Sequence, residues 1–243
     1  MNTGSLGAAS GNAASLNQAL LLALLDSRAP AGGHGHSGGM EAAVTAGFVT
    51  GLADVEQFCR LRLLTAGQAA AAFAAAAAQL WTAGSGAARW AELDAECSAR
   101  VPSAAARTAS RQLGSGLRRL LAAMVPSADL AAPWREITRP APHHPLVLGA
   151  AVAVAGGGPH LAATAAALGT CTSAASAAVR LLGLDPYGAQ AVLAGLAGEI
   201  NATAAAQASA DLDDFAGLPA LGAPALDLLA DVHARSEVRL FAS

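Results

Sequence analysis

Lysine is absent from this 243-residue chain, so its 14 basic side chains are all arginines. That absence removes a P-loop lysine, a Schiff base and a lysine general base from the chemistry available. Aromatic residues make up only 4%, and Val, Ile, Thr and Tyr are sparse beside an abundance of Ala and Leu, which disfavours a β-sheet core and favours helices. The three cysteines, Cys59, Cys97 and Cys171, are odd in number and far apart in sequence. They spell neither a disulfide framework nor a C-x-x-C zinc site, and a reducing cytoplasm is the expected compartment. Net charge is -3 with no basic block interleaved with aromatics, so the electrostatic footprint of a nucleic-acid binder is missing.

What is there reads as helix throughout. Residues 1–14 are expected to be a disordered, low-complexity extension without a secretory n-region. Ser15 to Leu25 reads as a buried Leu/Ala helix, followed by a loop carrying Pro30 and a cluster of glycines. A helix restarts at Met40 and runs to about Thr50. Asp54 and Gln57 suggest a capping box opening a long helix through Trp81, broken at residues 84–86. Within it, AGQAAAAFAAAAAQLW is the most membrane-like run, but it is mostly alanine and shorter than the roughly twenty strongly apolar residues a span requires. No membrane partner is expected.

Further helices are expected at 87–99, after a Ser103 cap, over LVLGAAVAVA, from His160 to Leu182 behind Pro159, from Asp185-Pro186 to about Ala210, and at 225–234. Arg107, Arg111 and Arg118 recur at near-helical spacing, as a solvated face or a partner surface would. No strand-period segment and no solenoid repeat emerges. The expected fold is all-α without a sheet, a single helical domain over 15–234 of roughly eight to ten helices, with a C-terminal tail at 235–243.

Candidate chemistry concentrates in RAPAGGHGHSGGMEAAV. Gly35-His36-Ser37-Gly38-Gly39 matches the G-x-S-x-G of a serine hydrolase, with His160 or His233 as a conceivable base. A nucleophile elbow, however, needs a strand running into the turn, and the upstream segment is helical. His34 and His36, with the adjacent His143 and His144, could supply imidazoles to nickel or zinc, although no carboxylate or cysteine stands at ligand spacing. Adjacent histidines in a proline-rich connector are also ordinary loop polarity. The phosphate-loop reading fails for want of a following Lys-[Ser/Thr] and of a preceding strand. The apolar Leu240-Phe241 pair near the end has to dock either on the chain's own body or on another protein.

Two segments carry a family resemblance. LLDSRAPAGGHGHSGGMEAAV resembles the N-terminal signature of the UreF family of urease accessory proteins, and VRLFAS resembles that family's C-terminal ending, Arg-Leu-Phe-x-Ser. VTGLADVEQFCRLRLLTAG, ARTASRQLGSGLRRL and AAVRLLGLDP follow in the order of an actinobacterial member. His36, Ser37 and Glu41 match as they stand, and His34 replaces the family's usual aromatic.

The resemblance implies an all-helical, typically homodimeric scaffold with no active site and no stably bound cofactor. It implies joining UreD (also called UreH) and the GTPase UreG in installing nickel in apo-urease, with nickel and GTP handled by those partners. It further implies partner binding through His34, His36, Ser37, Glu41, Arg239, Leu240, Phe241 and Ser243. With no lysine and no P-loop here, GTP hydrolysis falls to a partner.

Overall fold

Alanine dominates the centre of the fold, and its small size decides how closely the helices meet. A computed structural model describes residues 18–26, 28–31, 33–126, 129–137, 141–209, 211–235 and 240–241. The expected extension at 1–14, the first residues of the expected first helix, Arg239 and Ser243 lie outside the described residues. The helices are α1 (18–25), α2 (Met40–Thr45), α3 (Leu52–Arg62), α4 (Gln68–Thr82), α5 (Ala87–Ala99) and α6 (Ala104–Met124). They continue with α7 (His144–Val154), α8 (Pro159–Leu182), α9 (Pro186–Gly195), α10 (Ala197–Gln207) and α11 (Pro224–His233). No strand occurs among the described residues, so the fold is all-α.

Helix α4 is the axis of the molecule. Ala71 through Ala78 are buried without interruption, and α7, α8 and α10 pack around them. Gly149 of α7 lies so close that a Cβ there would stand 2.2 Å from the Ala74 carbonyl oxygen. Close backbone approach thus supplies the packing that a core poor in aromatics cannot obtain from large side chains.

One apolar cluster on this axis joins α4, α5 and α7 and holds Trp90 edge-on to Trp134 at 4.8 Å. A second joins α2, α3, α8 and α10 and takes in Phe241 from the tail. Leu52–Thr82 and Pro159–Leu182 are long and apolar enough to cross a membrane by length and composition. Here their apolar faces meet one another in the second cluster.

Local signals placed most helix ends. Ser103 accepts the Ala106 N–H at 3.1 Å, and Asp185 accepts those of Tyr187 and Gly188 at 3.1 Å each, both as N-caps. Pro159 occupies the first turn of α8. The long α3 to α4 helix does end before residues 84–86, with five residues, Leu63–Gly67, wound as a π-turn just after Arg62.

Four expectations are corrected. The N-cap of α3 is Gly51; Asp54 instead reaches back, accepting the Thr50 N–H at 2.9 Å and its hydroxyl at 2.7 Å, so it is the acidic half of a cap rather than its start. The helix expected over 40–50 ends at Thr45, and the chain turns through Gly47 at φ 75°. The helix expected from 186 to 210 is two, broken at Leu196, which is fully buried between Gly195 and Gly198, both weak helix formers. The first helix, expected to be buried, buries Leu24 against Leu121 and Ala151 but leaves Leu22 71% exposed, so only one face packs.

Candidate functional site

The glycine loop meets the body through close backbone contacts. It enters α2 through Gly38 and Gly39, whose φ values of 61° and 89° favour glycine. It also crosses α6 where a Cβ on Gly116 would stand 2.3 Å from the Ala31 carbonyl oxygen, so any side chain there would push the loop away. The Gly38 carbonyl accepts a hydrogen bond from Arg62 Nη1. Arg62 Nε is buried without a partner, and burial pushes this guanidinium's pKa down.

His36 and Ser37 are both buried, and the Ser37 hydroxyl has no hydrogen-bond partner. No base touches it, and the loop comes off a 3-10 turn at Gly33–Gly35, not off a strand. The elbow geometry that would make Ser37 a nucleophile is therefore missing among the described residues.

Glu41, in the first turn of α2, is the polar centre of the site. Its carboxylate is almost fully buried and accepts the backbone N–H of Leu240 at 2.8 Å and of Phe241 at 2.9 Å, some 200 residues away in sequence. His233 of α11 brings Nε2 to 3.1 Å from Glu41 Oε2 and 3.4 Å from the Phe241 carbonyl oxygen. Both are acceptors, so Nε2 carries the proton. The Phe241 ring is buried, with the Arg180 guanidinium 4.1 Å from its centroid, whereas Leu240 is 74% exposed. The tail therefore docks on the chain's own body, Phe241 inward and Leu240 outward.

Of the expected site residues, Glu41, Leu240 and Phe241 come together, and His36 and Ser37 lie on the segment leading into Glu41. The contributions of His233, Arg180 and Arg62 were not legible in the sequence. Nothing local marks a histidine or arginine that meets a tail residue only after folding.

His143 and His144, expected as loop polarity, start α7 instead, and His143 is fully buried. Asp94 of α5 accepts the His143 N–H at 3.0 Å and pairs with Arg111 of α6 at 3.0 Å. Arg111 also donates to Ser98 Oγ at 2.7 Å and to the Ala141 carbonyl. It is thus an internal clamp rather than part of a solvated face.

The proton order in this network follows from the partners. Ser98 donates to the Asp94 carbonyl, so its oxygen accepts from His143 Nε2 at 2.9 Å. Ser110 accepts the His144 N–H at 3.2 Å, so it donates to His143 Nδ1 at 2.9 Å. His143 is therefore the neutral Nε2–H tautomer. Burial, with Arg111 nearby, pushes its pKa down to about 4. Burial and then His36 push His144 down to about 4 as well. With both ring nitrogens of His143 engaged, it has no lone pair free for a metal. Among the described residues no group of three or more His, Cys, Asp or Glu side chains converges at metal-binding range.

Comparison with known proteins is consistent with this architecture. The family described as UreF matches residues 49–197. The urease accessory protein UreF of Mycobacterium sp. (strain JLS) is 44% identical over 225 residues, covering 92% of this chain and 97% of that protein. That of Mycobacterium marinum is 43% identical over 225 residues, covering 93% and 98%. That of Mycobacterium tuberculosis (strain ATCC 25618 / H37Rv) is 40% identical over the same length, also covering 93% and 98%.

Proposed function

The chain belongs to the UreF family of urease accessory proteins, and from that premise we propose that it acts in urease maturation as an adaptor joining UreD (UreH) and the GTPase UreG to apo-urease. As a member it is a non-catalytic accessory protein, which removes the serine hydrolase reading of Ser37. Nickel and GTP are handled by its partners in this reading, in the cytoplasm, with the chain acting as a homodimer. The small-residue helix α8 is the proposed contact between copies.

The observation that carries the reading is the junction at Glu41. One buried carboxylate, just after the glycine loop at the start of α2, holds the backbone of Leu240 and Phe241, and we read the loop and the exposed Leu240 as one composite patch. A patch made of two segments from opposite ends of the sequence is a recognition surface that exists only while both are seated. His34, His36, Ser37 and Glu41 on one side and Arg239, Leu240, Phe241 and Ser243 on the other are its proposed residues.

The test is co-purification with UreG, in the presence of UreD, of the full chain and of a chain lacking residues 239–243. Loss of UreG with an unchanged helical circular dichroism spectrum is the expected result. Unchanged co-purification would remove the tail from the interface. In parallel, urease activity in nickel-supplied cells should depend on this chain at equal urease protein. Equal activity with and without it would overturn the maturation role.

A further inference from the structure

Cys59 and Cys171 lie 112 residues apart in sequence yet face each other where α3 crosses α8. Each is fully buried, and the contact is reciprocal: Cys59 Sγ donates to the Cys171 carbonyl at 3.6 Å and Cys171 Sγ to the Cys59 carbonyl at 3.7 Å. Two thiols that each reach the other's backbone stand side by side. Nothing in the adaptor role uses them.

One charged group stands close to them in this otherwise apolar cluster. Arg62, one turn beyond Cys59, is a buried guanidinium with an unpartnered Nε, and both cysteines contribute to its electrostatic environment. Its Nη1 holds the Gly38 carbonyl of the glycine loop, and a Cβ on Gly38 would stand 3.4 Å from Ser173 Oγ, two residues beyond Cys171. The loop thus rests on the two helices that carry the thiols. Cys97 provides the contrast: it too is buried, but it stands in the other apolar cluster without a neighbouring thiol.

We propose that Cys59 and Cys171 form an oxidisable dithiol, closed by hydroperoxides into a disulfide that pins α3 to α8 beneath the glycine loop. The contact is symmetric, each thiol donating to the other's carbonyl, so either sulfur can make the first attack.

The thiolate of one cysteine attacks one peroxide oxygen, the O–O bond breaks, and the departing hydroxide takes a proton to leave as water. The second sulfur then attacks the sulfenic sulfur of the first, the S–O bond breaks, and the hydroxide leaves as water with the second thiol's proton. Two thiols are oxidised by two electrons, and one hydroperoxide is reduced to two waters or, for an organic peroxide, to one water and one alcohol. Reduction by a small dithiol reverses the cross-link.

The experiment uses the full chain, reduced, then exposed to hydrogen peroxide, quenched, unfolded in alkylating reagent and digested for mass spectrometry. The expected product is a single peptide pair linking Cys59 to Cys171, with Cys97 alkylated, and a thermal midpoint raised by roughly several degrees until dithiothreitol is added. In Cys59→Ala and in Cys171→Ala the thermal midpoint should no longer rise on peroxide treatment. Full alkylation of all three cysteines after peroxide would overturn the proposal, as would linkage that forms only once the chain is unfolded.

Discussion

Two buried carboxylates, Asp94 and Glu41, perform the same task at two junctions of the fold with different counter-groups. Each accepts backbone N–H groups from a distant segment: Asp94 that of His143 at the head of α7, Glu41 those of Leu240 and Phe241 in the tail. Asp94 is balanced by Arg111, a permanent cation that also donates to Ser98 and the Ala141 carbonyl. Glu41 is balanced by an imidazole, His233, and by N–H groups of a segment that presents exposed Leu240 on its far side. The first arrangement cements α5, α6 and α7 into the core. The second holds a segment whose release costs the core little beyond Phe241.

The largest effect is expected at the Asp94 end. Asp94→Ala would strand Arg111, only 13% exposed, without its counter-ion, and should cost about 3–5 kcal/mol in denaturant unfolding. If the pair is cement rather than a recognition device, replacing both partners by apolar residues, Asp94→Leu with Arg111→Met, should recover most of that loss. A double replacement as unstable as the single one would show that the Ser98 and His143 bonds carry the cost instead.

The pH response should also come from that end. His143 and His144 are both held near 4, below the ordinary histidine value of about 6.5, so the unfolded chain binds protons that the folded one refuses. Their contribution to stability is complete above about pH 6.5 and is lost as pH falls toward 4. Thermal midpoints should therefore fall across that window, and His143→Asn should flatten the slope. A slope unchanged by the replacement would put the titration elsewhere.

At the tail end the expected global loss is smaller. Glu41→Gln keeps an oxygen for one N–H but not a carboxylate for two, and should cost about 1–2 kcal/mol while leaving the helical core intact. Amide hydrogen exchange should speed up at Leu240 and Phe241 but not in α4. Protection unchanged at both amides would mean that Phe241 packing alone seats the tail. Arg180→Ala, which removes the cation over the Phe241 ring, should cost about 0.5–1 kcal/mol and is the mildest of the set.

These two ends also differ in how much of them could be read from the chain. The helix starts at Ser103, Asp185 and Pro159 are local events, settled by residues within one turn, and the linear pattern displays them. Met40 to Glu41 reads as the start of a helix, and the pairing of the glycine loop with the tail was reachable only through resemblance to a family. Arg111 and His143 misled, because helical spacing and a proline-rich neighbourhood describe where a side chain starts, not what it meets. Arg111 finds Asp94 17 positions back and the Ala141 carbonyl 30 positions ahead, a convergence that no periodicity reports.

Taken alone, the order of residues determined the all-α class, most helix starts and the exclusion of lysine and P-loop chemistry, since propensity, capping and the presence of a side chain act within a few residues. The tertiary structure alone decided that Glu41 receives the tail, that His143 is neutral and fully engaged, and that two cysteines 112 positions apart stand face to face. Each of those depends on which helices approach closely enough to exclude water. That is settled by the packing of the alanine-rich α4 against α7 and α8, and no short stretch of sequence contains it.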